Sequence, residues 1–184
     1  MDKQFFVTGY HKSRLERATK IVQFKSFTIS TGDTMWLGDG IYFWDTLEDA
    51  KWWNEDIYVD GAILSAQLTC DYDNFLDLDT PVHMSQLVAY VDAFKAQIAE
   101  DGTVDLDFQN AIQIRAFFCT LYKKDKGIQL MKHSFPWLKK NSAGFKDVYK
   151  RTQYCATSNE IIDNIKFVAK SIGGRLIGEN NEYI

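Results

Sequence analysis

The chain has 184 residues, a formal net charge of −4, 46% hydrophobic residues and 25% charged residues. That length and balance predict one domain over residues 1–184, with a core large enough to need no disulfide staples. Only 2 prolines stand against 15% aromatics, which excludes a disordered tail, since disorder favours proline and avoids aromatics. No apolar run approaches the roughly 20 residues of a membrane span. The first six residues lack the apolar core of a signal peptide. The 3 cysteines, Cys70, Cys119 and Cys155, are far apart with no CxxC pair. These features predict a cytoplasmic protein with buried, reduced thiols and no membrane partner.

In chain order, residues 4–10 read as a buried strand. Ser13 is placed to N-cap a helix carrying Leu15, Ala18, Ile21 and Val22 at helical spacing, with Glu16 as in a capping box. Residues 36–44, Trp-Leu-Gly-Asp-Gly-Ile-Tyr-Phe-Trp, read as a glycine turn feeding a short aromatic strand. Asp45 or Thr46 can cap a helix over residues 47–54, and residues 62–70 read as a strand. Two longer helices follow: one carries Met84, Leu87, Val88, Val91, Phe94 and Ile98. The other carries Leu106, Ala111, Ile112, Ile114, Phe117, Phe118 and Leu121, a stripe broad enough to predict a well-buried helix. Strand character returns at residues 128–131, 152–157 and 165–168. Two helices inside a strand-rich frame, without regular βαβ alternation, predict an α+β fold.

Charge is segregated. Residues 123–151 hold nine basic residues (Lys123, Lys124, Lys126, Lys132, Lys139, Lys140, Lys146, Lys150 and Arg151) against Asp125 and Asp147, a net +7, so the remainder carries −11. Such a stretch predicts either a face that meets an anionic partner or a solvated, charge-rich surface.

Generic motifs for nucleotide cradles, serine nucleophiles and zinc proteases are absent. His11, His83 and His133 lie far apart and away from cysteines, so no metal site is expected. Asp71, Asp73, Asp77 and Asp79 lack the glycine turn and terminal glutamate of a calcium loop and read as a polar loop. What remains is Tyr10-His11-Lys12-Ser13 at the end of the first strand, and the segment over residues 36–44.

With Leu15-Glu16-Arg17-Ala18-Thr19-Lys20-Ile21, Ala50-Lys51-Trp52-Trp53 and Gln153-Tyr154-Cys155-Ala156-Thr157, those residues resemble the ADP-ribosyltransferase superfamily. The branch is the histidine–tyrosine–glutamate one, PARP-like and diphtheria-toxin-like, of bacterial or phage type. The likeness is dense over residues 9–53, thinner over 150–168 and faint in the middle helices. It implies a split β-sandwich with flanking helices and NAD as substrate, with no metal. His11 would bond the adenosine ribose. The backbone of Lys12, with Ser13, would read the nicotinamide amide. Tyr42 would stack on the nicotinamide ring beside Gly40, and Gln153 would take the place of the glutamate that bonds the nicotinamide ribose. Lys12 stands where the family has glycine.

A neutral Gln153 can accept a hydroxyl's hydrogen bond but cannot act as a base, so transfer of a single ADP-ribose unit is expected. The alternatives are NAD glycohydrolysis in the same cleft, or a catalytically silent NAD- or partner-binding module. The resemblance also implies a toxin or phage-defence effector with a neutralising antitoxin or immunity protein. In this superfamily the loop before the third catalytic strand often recognises the target. Here it holds Lys139, Lys140, Phe145, Lys146, Tyr149, Lys150 and Arg151. Lysines neutralise phosphates and aromatics stack on unpaired bases, so a nucleic-acid acceptor, RNA or DNA, is expected ahead of a protein one.

Overall fold

The computed structural model describes residues 3–53, 60–101, 108–140, 146–172 and 175–178. Its elements are β1 (Gln4–Arg14), α1 (Leu15–Phe24), β2 (Ile41–Trp44), α2 (Leu47–Trp52), β3 (Gly61–Asp71), β4 (Phe75–Asp77), α3 (Pro81–Asp101), α4 (Ala111–Lys126), β5 (Leu130–Lys140), β6 (Lys146–Ala156), β7 (Ile162–Ile172) and β8 (Arg175–Gly178). The strands form one sheet in the order β4-β5-β6-β2-β1-β3-β7-β8. The β4–β5 pair is parallel and spans the two long helices, and the other pairs are antiparallel. This is a mixed, α+β arrangement.

The sheet is built from two runs that meet at one point. β1 pairs with β3 along its whole length, from Gln4↔Asp71 to Arg14↔Gly61, but with β2 only at Tyr10↔Trp44. Period-two alternation sorts the apolar side chains to either side. Ile41 and Phe43 of β2 join Ala18 and Ile21 of α1, Phe27, Leu64 and Leu68 on one face. On the other face Tyr42 packs against Leu37, Cys119, Tyr122, Met131 and Cys155 under α3 and α4. Trp44 packs with Ala50 of α2, Ile63 and Ala169 in a third cluster. The three cysteines are buried and free, and burial pushes the Cys70 and Cys119 thiols up to about 11.

Several expectations are corrected. Ser13 does not cap α1: the first strand runs on through Arg14, and the helix starts at Leu15 with no side-chain cap. Glu16 bonds Lys20 instead. Thr46 does cap α2, its hydroxyl accepting from the Asp49 N–H at 3.1 Å. α4 starts at Ala111, where the Asn110 side chain accepts from the Ile112 and Gln113 N–H groups, so Leu106 falls outside both the helix and the described residues. Residues 139–140 and 146–151 are strand and not loop. They belong to the paired end of the β5–β6 hairpin, and residues 141–145, with Phe145, lie outside the described residues.

Candidate active site

After Tyr10↔Trp44 the ladder between β1 and β2 stops, and His11 bridges the gap with its side chain. Its Nδ1 donates to the Tyr42 carbonyl at 2.8 Å. A carbonyl only accepts, so the proton sits on Nδ1 and Nε2 keeps a lone pair. The ring is wedged edge-on against Phe27, with centroids 5.0 Å apart, and near Phe43. Burial lowers its pKa, partly opposed by the bond to Tyr42, so the imidazole is neutral at neutral pH.

The gap opens into a cleft of about 220 Å³. His11, Lys12 and Ser13 come from β1, Tyr42 and Trp44 from β2, and Gln153 from β6. Arg17, Trp36 and Trp53 complete much of the wall. The cleft therefore gathers five of the six residues expected to bind NAD. Gly40 is not among its lining residues. A Cβ there would overlap the Cys155 sulfur and stand 2.7 Å from the Ala156 carbonyl, so glycine at that position permits close strand packing. Trp36, Trp44 and Trp53 line the cleft, and Trp44 and Trp53 also pack in the third core cluster. Trp53 lies between the other two, with ring centroids 6.0 Å from Trp36 and 5.4 Å from Trp44.

The Tyr42 ring is held from behind. Its hydroxyl donates to the Gly38 carbonyl at 2.6 Å and accepts from the Leu37 N–H at 2.8 Å. Burial, and then the neighbouring Cys155, push the phenol far above its ordinary pKa, so it remains a donor. That loop is in turn clamped by α4. Arg115 Nε donates to the Trp36 carbonyl at 2.9 Å, and the Thr120 hydroxyl accepts from the Asp39 N–H at 2.8 Å. Lys123, only 3% exposed, donates to the Leu37 and Asp39 carbonyls at 2.7 and 2.6 Å and meets the Cys155 sulfur at 3.0 Å. Gly38 takes φ +74° where a Cβ would stand 2.6 Å from the Thr120 nitrogen, so its backbone conformation and its packing both call for glycine.

Gln153 is 5% exposed, and its Oε1 has no hydrogen-bond partner. A buried amide oxygen facing a cleft without a donor is costly unless a ligand supplies one. Lys12 is drawn away from the centre: its ammonium donates to the Lys51 carbonyl at the end of α2, at 2.9 Å. The cleft is smaller than the roughly 300–1,000 Å³ that encloses a drug-sized ligand, so it can hold one end of a dinucleotide. Ser13 and Arg17 also border a neighbouring depression of about 710 Å³ along α1, which Arg14 and Lys20 line.

The residues expected to meet the target divide. Arg151 is engaged within the molecule, by an ion pair with Asp49 and by stacking over Trp52 at 3.9 Å. Lys132 pairs with Asp77 and Asp79, and Lys123 is buried in the clamp, so the basic stretch does not form one face. Strand alternation puts Tyr149 and Arg151 on the face of Gln153 and Lys150 on the other. Tyr149 and Trp137, 50% and 41% exposed, stand opposite each other in the hairpin on the Gln153 side. Lys139 and Lys146 occupy register positions opposite Asp147 and Lys140.

Among the described residues no cluster could hold a metal ion, and no helix is long and apolar enough to cross a membrane. Of the four aspartates read as a polar loop, Asp71 ends β3 and Asp77 ends β4, and Asp77 and Asp79 are bonded to Lys132 and Ser134.

Fold and site together define a mixed α/β domain with an aromatic-walled cleft where two runs of one sheet part. No family model matches the chain. An uncharacterized protein of Methanocaldococcus jannaschii is 34% identical to it over 84 residues, covering 42% of this chain. The match spans 39% of that relative's length.

Proposed function

We propose that the chain binds NAD in this cleft and transfers its ADP-ribose, as a mono-ADP-ribosyltransferase with a split-sandwich fold. The observation that carries the reading is convergence. His11, Tyr42 and Gln153, far apart in sequence, line one cleft, and Gln153 brings to it a buried oxygen without a partner.

Each group has a task that suits its geometry. His11 Nε2, with its lone pair, accepts from a ribose hydroxyl. The Tyr42 ring, locked through its hydroxyl, offers a flat face to the nicotinamide. Gln153 Oε1 accepts from the nicotinamide ribose. Cleavage of the C–N glycosidic bond leaves positive charge on the sugar and releases neutral nicotinamide, so gripping both ends of that bond matters more than a strong acid. The exposed Trp137–Tyr149 pair, on the same sheet face as Gln153, is a stacking surface for a single-stranded nucleic-acid acceptor.

The test is nicotinamide release and label transfer from labelled NAD, with RNA, DNA or cell protein present. Wild type is expected to release nicotinamide, and His11→Ala and Tyr42→Ala to lose at least tenfold. No NAD binding and no release with any acceptor would end the reading. Label in protein alone would remove the nucleic-acid acceptor.

A further inference from the structure

The cleft-side face of the sheet continues past Gln153 onto β5. His133 is the register partner of Gln153. Directly paired residues share a face, with Cβ atoms about 4.5–5.5 Å apart. The His133 ring meets Phe135 edge-on at 4.8 Å, and Phe135 lies 4.6 Å from Trp36, which lines the cleft. His133 and Phe135 thus stand beside the cleft, next to Gln153 and Trp36, which line it.

His133 Nδ1 is buried and lies 3.0 Å from Asp79 Oδ1, a close charge contact without the alignment of a hydrogen bond. Asp79 is itself fixed by the Ser134 N–H at 2.9 Å, the Ser134 hydroxyl at 2.6 Å and Lys132 at 3.3 Å. The carboxylate favours the proton on Nδ1, which leaves the lone pair on Nε2. The side chain is 22% exposed, and with Nδ1 buried, Nε2 is the nitrogen that can meet substrate. Burial lowers the ring's pKa against the pull of Asp79, so it is neutral at neutral pH.

The proposed site lacks a base. His11 Nδ1 is bonded to the Tyr42 carbonyl and its Nε2 is taken by the ribose hydroxyl in that reading, and the amide of Gln153 takes no proton. The geometry points to His133, held by Asp79, as the general base that deprotonates the acceptor. This rests on the ADP-ribosyl-transfer reading. In the step, the C1′–N bond breaks and its electron pair leaves with nicotinamide. A lone pair of the acceptor's O–H or N–H group bonds C1′, and the acceptor's proton passes to His133 Nε2 and then to solvent. The base is supplied by the strand neighbour of Gln153.

The experiment uses NAD with water as acceptor and reads nicotinamide and ADP-ribose formation. NAD affinity is followed in parallel by fluorescence of the cleft tryptophans. His133→Ala is expected to leave the NAD dissociation constant within about twofold while slowing turnover about 10²-fold, the typical contribution of a general base. Added imidazole should restore part of the rate by entering the vacated space. Should His133→Ala fail to fold, His133→Gln should show the same loss without rescue. A folded variant that turns over at the wild-type rate, or a slow His133→Ala that imidazole does not rescue, overturns the inference. A wild-type protein that neither binds NAD nor releases nicotinamide overturns the proposed function and this inference with it.

Discussion

Lys123→Met tests the clamp behind Tyr42. The ammonium has three donors, and the structure meets them with the Leu37 carbonyl, the Asp39 carbonyl and the Cys155 sulfur, in a site 3% exposed. Methionine keeps most of the length and removes every donor, which strands the buried Leu37 carbonyl and leaves the half-buried Asp39 carbonyl only the Cys155 thiol at 3.7 Å. Each costs about 1–3 kcal/mol. Relief from burying the amine offsets part of this, which leaves a loss of about 3 kcal/mol. For a chain of this length about 1 kcal/mol shifts the melting point by roughly 2–4 °C, so a fall of about 6–12 °C is expected. Thr120→Val removes the bond from the Asp39 N–H at 2.8 Å and the hydroxyl's own bond to the Ala116 carbonyl at 2.9 Å, a carbonyl inside α4, and should cost about 1 kcal/mol. Urea and thermal unfolding measure both, and an NAD titration should weaken in the same order, because Leu37 and Gly38 hold the Tyr42 hydroxyl. Wild-type stability in Lys123→Met, or a larger loss in Thr120→Val, would refute the reasoning.

Gln153→Leu should move stability and binding in opposite directions. Removing a buried, unpartnered amide oxygen stabilises the unliganded protein by about 1 kcal/mol, while NAD affinity falls about tenfold; a melt and a titration on one preparation check both. Gly38→Ala forces a Cβ into Thr120 at φ +74° and should cost about 2–4 kcal/mol, visible as a lower urea midpoint. Mild acid should destabilise the protein. His11 and His133 are both held below the ordinary histidine pKa, chiefly by burial, so the folded state resists protons that the unfolded chain accepts below about pH 6.5. Their contribution is complete above that value and is lost as pH falls toward the folded pKa values. The urea midpoint should drop from about pH 7.5 to about pH 5.5, and less so in His133→Gln. An unchanged midpoint over that range contradicts the burial of both rings.

How much was legible in the sequence depended on where burial is one-sided. β2 and β3, with apolar residues at nearly every turn of the pleat, and α1, with Ala18 and Ile21 inward, stand close to where their patterns put them. The β5–β6 hairpin did not declare itself. Beyond residue 134 it is a two-stranded ribbon whose faces both carry polar residues and a proline, so period-two alternation leaves no signal. The expected helix cap at Ser13 failed because pairing with β3 outweighed a local side-chain bond. At the site, ordered residue types marked His11, Tyr42 and Gln153, but the clamp was invisible. Lys123 reads as one more surface charge in a basic run, and only the fold brings α4 over the 36–39 loop. His133 was missed for the same reason: its place beside Gln153 is a matter of strand register.

The α4 clamp also constrains any attempt to pare the protein down. A core lacking residues 81–126 would keep His11, Tyr42 and Gln153 in its sequence and look sufficient on paper. It would have lost Arg115, Thr120 and Lys123, the groups that hold the backbone from Trp36 to Asp39. Tyr42 would then be tethered to a segment left with the Ser30–Gly40 bridge and the ring contacts of Trp36, without the side chains that fix its carbonyls. The long insertion between β4 and β5 is therefore the splint on which the aromatic platform is set, and grafting that platform onto another scaffold means carrying the helix along with it.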